Sequence, residues 1–70
     1  MDIPKAPIER IIRKSGAERV SNEAVEALVE YLEDIATRSS RLAITVARHA
    51  GRKTVTYEDI KFAEKELGKK

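Results

Sequence analysis

Few side chains in this 70-residue sequence could do chemistry. It has no cysteine and one histidine, His49, which excludes a thiolate nucleophile, a disulfide framework and a histidine-based metal cluster within one chain. Ser39, His49 and Asp59 are the residue types of a hydrolytic triad. However, a small helical chain with a filled core leaves no concave pocket for a substrate. We therefore expect no enzyme, no metal and no cofactor.

Two polar segments carry the residue types that bind phosphate. Arg19 lies in the first, and Arg52, Lys53 and Thr54 follow Gly51 in the second. Guanidinium, ammonium and hydroxyl groups all suit phosphate oxygens. The alternative is that these are simply polar loops. A nucleotide-binding P-loop is excluded, because the earlier glycine of that motif and the strand before it are absent.

The spacing of apolar residues predicts three helices and no strand. The first begins at Pro4 or Pro7 and ends at Lys14. Proline is tolerated there because the amide it lacks would be unpaired in a first helical turn. A third helix begins after Thr56, which can cap it together with Asp59 three residues on. The sequence therefore predicts an all-α chain with two short helices around a long one.

The central helix is predicted to be too long for a globule of this size. Ser21 is a good N-cap, and no glycine or proline follows Asn22 until Gly51, just beyond His49. Such a helix is about 42 Å long, against a diameter of about 28 Å for a compact chain of 70 residues. The chain should therefore need a partner. Its candidate dimer core is Leu28, Leu32, Ile35 and Leu42.

Charge is distributed in blocks, although the net charge is only +2. Residues 20–37 hold five acidic and no basic side chains, and residues 38–57 hold five basic and no acidic ones. One explanation is that the charges complement the helix dipole. In addition, antiparallel pairing of two such helices places acid near base, whereas parallel pairing sets like charges together. The pattern favours an antiparallel homodimer, with the first loop of one chain beside the second loop of its partner.

Several motifs together resemble an archaeal histone over essentially the whole chain. They are API at residues 6–8, RII at 10–12, GAERVS at 16–21, ARHAGRKT at 47–54 and EDI at 58–60. The resemblance implies a histone fold in which two chains form an antiparallel handshake dimer that wraps DNA. It also implies that residues 1–70 are a single histone-fold domain without long tails.

The resemblance further implies which residues contact DNA. Arg19 matches an arginine that enters the minor groove and is held by Thr54 of the partner chain. Such contacts depend on groove width and backbone, not on base identity. Arg52 also matches one half of an intrachain salt bridge with Asp59, and this structural role is favoured over a DNA contact. The implied DNA-binding residues are Arg10, Arg13, Arg19, Arg52, Lys53 and Thr54.

Contacts between dimers are also implied by the resemblance. Val46, His49, Asp59 and Phe62 match an interface that joins one dimer to the next, and Gly16 matches a site where stacked turns approach closely. Each has a simpler alternative. His49 can be an ordinary residue at a helix C-terminus, and Gly16 can be a glycine that ends the first helix.

The function predicted is DNA packaging without sequence specificity, as dimers that stack into larger nucleosome-like assemblies. The alternative is a histone-fold component of a transcription complex, which would not need the basic loop residues. The expected partners are double-stranded DNA and a second copy of the chain, and a paralogous histone is left open. We expect no membrane partner, because the apolar runs are far too short to cross a bilayer. No signal or transit peptide is expected, so the predicted location is the cytoplasm, on the chromosome.

Overall fold

A computed structural model describes residues 3–68 as three helices. They are α1 (Lys5–Lys14), α2 (Asn22–His49) and α3 (Tyr57–Leu67), and the described residues contain no strand. The predicted all-α order of short, long and short helix is confirmed. Residues 1–2 and 69–70 of the predicted domain lie outside the part that the structure describes.

The helices begin and end where local signals predict. Ser21 precedes α2, and its side-chain oxygen accepts a hydrogen bond from the amide of Ala24 at 3.0 Å. Thr56 precedes α3 and forms a capping box with Asp59, in which each side chain accepts from the backbone amide of the other residue. Gly16 and Gly51 follow α1 and α2 with φ of +121° and +71°, which only glycine adopts cheaply. Short-range hydrogen bonds therefore fix the bounds of the elements.

Contacts divide the chain into two compact units, one ending at Asp34 and the other beginning at Ile35. In the first, Ile8 of α1 packs with Val25 and Val29 of α2 to form a buried apolar cluster. In the second, the buried side chains are small. They are Ala43, Ala47, Asp59 and Ala63.

A second row of residues along α2 is only partly covered within one chain. We call it the half-buried stripe, and it consists of Leu28, Leu32, Ile35, Ser39, Leu42 and Val46. Their spacing of three and four residues places them on one side of the helix. Five of the six are large and apolar, so this side of α2 has apolar surface beyond what the chain itself buries.

Candidate nucleic-acid interface

The loop between α2 and α3 turns sharply at the end of α2. The amides of Gly51 and Arg52 donate to the carbonyls of Arg48 and Ala47 at 2.9 Å each. Gly51 has the positive φ that this type of helix end requires. The turn therefore places Arg52 and the residues after it immediately beyond the last turn of α2.

A bidentate ion pair ties this loop to the start of α3. The Nη1 and Nη2 atoms of Arg52 each lie 2.8 Å from a carboxylate oxygen of Asp59, which is only 3% exposed. The same carboxylate accepts from the amide of Thr56 at 2.9 Å, and Arg52 also donates to the carbonyl of Thr54 at 3.1 Å. The structure thus contains the salt bridge expected from the sequence, and it fixes the loop on both sides of Lys53.

The electrostatics of this pair keep both groups charged. The hydrogen bond from Arg52, followed by that from the Thr56 amide, holds the pKa of Asp59 far below the ordinary carboxyl range. The hydrogen bond to Asp59 in turn raises the pKa of Arg52. Arg52 is therefore committed inside the chain, in keeping with the structural role favoured for it.

Lys53 and Thr54 are presented to solvent by this fixed loop. Both residues are exposed, and in the described part of the chain Lys53 forms no ion pair. An ammonium and a hydroxyl on neighbouring residues can donate to adjacent phosphate oxygens. The loop is therefore shaped for an anion that the chain itself does not supply.

The first unit carries the other three predicted DNA-binding residues. Arg10 and Arg19 are exposed and take part in no ion pair among residues 3–68. Arg13 differs, because it contacts Glu9 at 3.0 Å and donates to the carbonyl of Glu18 at 3.3 Å. Arg10 and Arg19 are thus available for phosphate, whereas Arg13 already has an acidic neighbour.

The residues predicted to join dimers differ in how accessible they are. His49 is exposed at the last position of α2, Val46 is half-buried, and Phe62 is 46% exposed on α3. Asp59 is buried, and its carboxylate already accepts three hydrogen bonds. A contact with His49 of another dimer would have to share that carboxylate.

Gly16 stands in open space as well as in a conformation that favours glycine. A Cβ atom added there would find nothing within 4 Å. The positive φ alone accounts for a glycine at this position within one chain. The stacking role implied by the resemblance stays a prediction.

The structure also contains exposed apolar residues beside the loop that the sequence did not single out. Ile44 and Val55 are 37% and 39% exposed, and with their neighbours they line an open groove of about 470 Å³. Tyr57 is 71% exposed, with the ammonium of Lys61 5.8 Å from its ring centre. Val55 and Tyr57 are large residues in a loop and at a helix start, a signal that periodicity arguments pass over.

Two other kinds of site were sought in residues 3–68. No group of three or more acidic, histidine or cysteine side chains is placed to hold a metal ion there. No helix in this part of the chain is both long and apolar enough to span a bilayer.

Comparison with known proteins agrees with the three-helix order. A sequence profile of the family described as "Histone-like transcription factor (CBF/NF-Y) and archaeal histone" matches residues 1–63. The chain is 56% identical over 64 residues to one of the polypeptides of archaeal histone HAN1 from Thermococcus zilligii, covering 91% of this chain and 96% of that protein. It is 47% identical over 62 residues to probable archaeal histone 3 of Methanocaldococcus jannaschii, covering 89% and 92%. It is also similar to histone H4 of Dictyostelium discoideum, with 34% identity over 67 residues, covering 96% and 62%.

Proposed function

Because this chain belongs to the family of histone-like transcription factors and archaeal histones, we propose that it is an architectural DNA-binding protein of chromatin. In this proposal, residues 1–70 act as one histone-fold domain that binds double-stranded DNA without reading base sequence. It acts as a homodimer, and its dimers stack into larger nucleosome-like assemblies on the chromosome in the cytoplasm.

The observation that supports this proposal most is the state of the loop cations. Lys53 and Thr54 are exposed on a loop that Arg52 and Asp59 hold in place. Arg19 is likewise exposed, and neither it nor Lys53 has an acidic partner in the described residues. Cations that are fixed in place but unpaired lose little entropy when a phosphate binds. They supply the sequence-independent part of DNA binding.

The half-buried stripe is the proposed dimer contact. Leu28, Leu32, Ile35 and Leu42 are incompletely covered in one chain, and a second α2 crossing them would complete a core. With the two α2 helices antiparallel, the first loop of one chain lies beside the second loop of the other. Arg19 of one chain, and Lys53 and Thr54 of the other, would then form one DNA-binding cluster at each end of the dimer.

The proposed DNA contacts explain why little sequence specificity is expected. Arg10 and Lys53 would contact phosphates, and Arg13 and Arg52 would do so while keeping their partners within the chain. Arg19 would enter the minor groove beside Thr54 of the partner chain. A minor groove distinguishes bases poorly, so such an arginine responds mainly to groove width.

Dimers would associate further along the DNA. In the proposal, Val46, His49 and Phe62 contact the same residues of the next dimer, and Asp59 is shared between Arg52 and the neighbouring His49. Gly16, which carries no side chain, would lie where successive turns of the assembly approach one another.

The test is the salt dependence of binding to short duplexes of equal length and unrelated sequence. The observed log K falls with log salt by about 0.9 for each phosphate neutralised. The variant Arg19→Ala, Lys53→Ala, Thr54→Ala removes four cations per dimer, so its slope should be smaller by about 3.6. The control Lys61→Ala, Lys65→Ala removes the same number of cations from α3 and should change the slope little.

Wild-type affinity should be similar for both duplexes, except where one bends more easily. If the loop variant and the α3 control lost the same amount of affinity and slope, only net charge would matter and the loop assignment would be wrong. Strong preference for one duplex would contradict binding without sequence specificity.

A further inference from the structure

A second row of residues along α2 is charged and wholly exposed. We call it the charged stripe, and its spacing of three and four residues is as regular as that of the half-buried stripe. Its first half is acidic and its second half is basic. It consists of Glu23, Ala27, Glu30, Asp34, Arg38, Arg41, Thr45 and Arg48, all of them exposed.

The charged stripe lies on a different side of α2 from the half-buried stripe. At 3.6 residues per turn, the two are separated by roughly a third of a turn. The buried positions Val25, Val29, Ala43 and Ala47 lie roughly opposite the charged stripe on the same basis. A dimer built on the half-buried stripe therefore leaves the charged stripe open to solvent.

The helix dipole does not account for the inner charges of this stripe. A macrodipole stabilises side-chain charges within the first and last turns of a helix. Glu23 and Arg48 lie there, but Glu30 and Arg41 each lie eight residues inside an end of α2. The inner pair therefore calls for another explanation.

The positions of the charges make the stripe complementary to a second copy of itself. Glu23 and Arg48 are each one residue inside opposite ends of α2, and Glu30 and Arg41 are each eight residues inside. When two α2 helices lie antiparallel with their ends aligned, Glu23 meets Arg48 and Glu30 meets Arg41, each twice by symmetry. Aligned in parallel, the same helices would set like charges against each other.

We propose that the charged stripe is a second contact between copies of this chain, in which α2 of one DNA-bound dimer lies antiparallel against α2 of a neighbouring dimer. This inference rests on the proposed function, since it takes dimers on DNA as its starting point. A dimer has two such stripes, one on each chain, so the contact can repeat from dimer to dimer.

The contact is weak alone, and DNA makes it effective. Exposed ion pairs contribute little individually and are screened by salt. None of Glu23, Glu30, Arg41 and Arg48 forms an ion pair within residues 3–68, so none has to leave a partner. Dimers bound to one DNA molecule are at an effective concentration of about millimolar. There, several weak pairs together suffice.

The test uses charge reversal in the full chain, with the variants Glu30→Arg, Arg41→Glu and the two combined. Two readouts are compared, the affinity for a short duplex that holds one dimer and the protein concentration that half-compacts a long tethered DNA. Each single variant sets like charges together at both symmetry-related pairs. It should lower the association constant between dimers about tenfold. The double variant reverses the pair on both copies, so it should restore compaction to the wild-type level.

Net charge alone gives a different pattern. Glu30→Arg adds positive charge and should then improve compaction, Arg41→Glu should impair it, and the double variant should stay at wild-type level only because the changes cancel. That ordered result would overturn the proposal. Lys14→Glu, which changes charge as Arg41→Glu does but lies on α1, should impair compaction less if the stripe is a contact. Equal impairment would also overturn it.

The short duplex separates this inference from the proposed function. If wild-type protein failed to bind it, the proposed function would be wrong, and the contact with it. If binding were intact in every variant while the double variant failed to restore compaction, only the stripe contact would be wrong.

Discussion

Truncating Ile35 to alanine distinguishes a dimer from a monomer by the size of the effect. Ile35 lies near the middle of α2 and is only half-buried in a single chain. A side chain already in contact with water contributes little when removed from a monomer, by about 1 kcal/mol or less. In the proposed dimer it is buried by the second α2, and Ile35→Ala should cost about 2–5 kcal/mol per chain.

The assay is urea unfolding at two protein concentrations that differ tenfold. When unfolding also separates two chains, a tenfold higher concentration raises the free energy of unfolding by about 1.4 kcal/mol. With a slope of about 1–3 kcal/mol per molar urea, the midpoint should rise by about 0.5–1.4 M. Ile35→Ala should lower the midpoint at both concentrations while keeping this dependence.

Val29→Ala is the matched control, because Val29 is fully buried in the first unit of the chain itself. It should destabilise the protein by about 1–3 kcal/mol whatever the oligomeric state. An unfolding midpoint independent of concentration, with a large loss from Val29→Ala and almost none from Ile35→Ala, would refute the reasoning.

Three other predictions follow from the second loop and the helix ends. Thr56→Ala removes the side-chain cap of α3 and should lower the free energy of unfolding by about 1 kcal/mol per chain, measured by urea titration. Because the pKa of Asp59 is lowered in the folded chain, its contribution to stability is complete above about pH 4 and is lost progressively below it. Melting temperatures from pH 7 to pH 2 should show this decline in wild type, and a smaller one in Arg52→Ala; equal profiles would contradict it. His49→Ala should leave single-dimer binding intact but shorten the longest nuclease-protected DNA, and unchanged lengths would mean that His49 only ends a helix.

The bounds of the helices could be predicted because their signals are local. Ser21 and Thr56 bond to amides three residues away, and Gly51 takes a conformation that other residues avoid. Each signal lies within a few residues of the end that it marks. The extent of α2 and its caps could therefore be predicted without knowledge of any packing.

The environment of the candidate site could be predicted only in part. The pairing of Arg52 with Asp59 was expected from the resemblance, but the burial of that carboxylate depends on how the second unit packs. The exposure of Ile44 and Val55 likewise depends on packing between residues distant in the chain. The proposed meeting of Arg19 with Lys53 requires a second chain, so neither one sequence nor one folded chain tests it.

The central claim is that the chain wraps DNA of any sequence dimer by dimer. Nuclease digestion of mixed-sequence DNA across a protein titration tests it most directly. The account predicts protected fragments whose lengths grow in equal steps as protein is added, with all sequences represented equally apart from a bias toward DNA that bends easily. Absence of protected fragments, or protection of one fragment of a single sequence at every concentration, would contradict it.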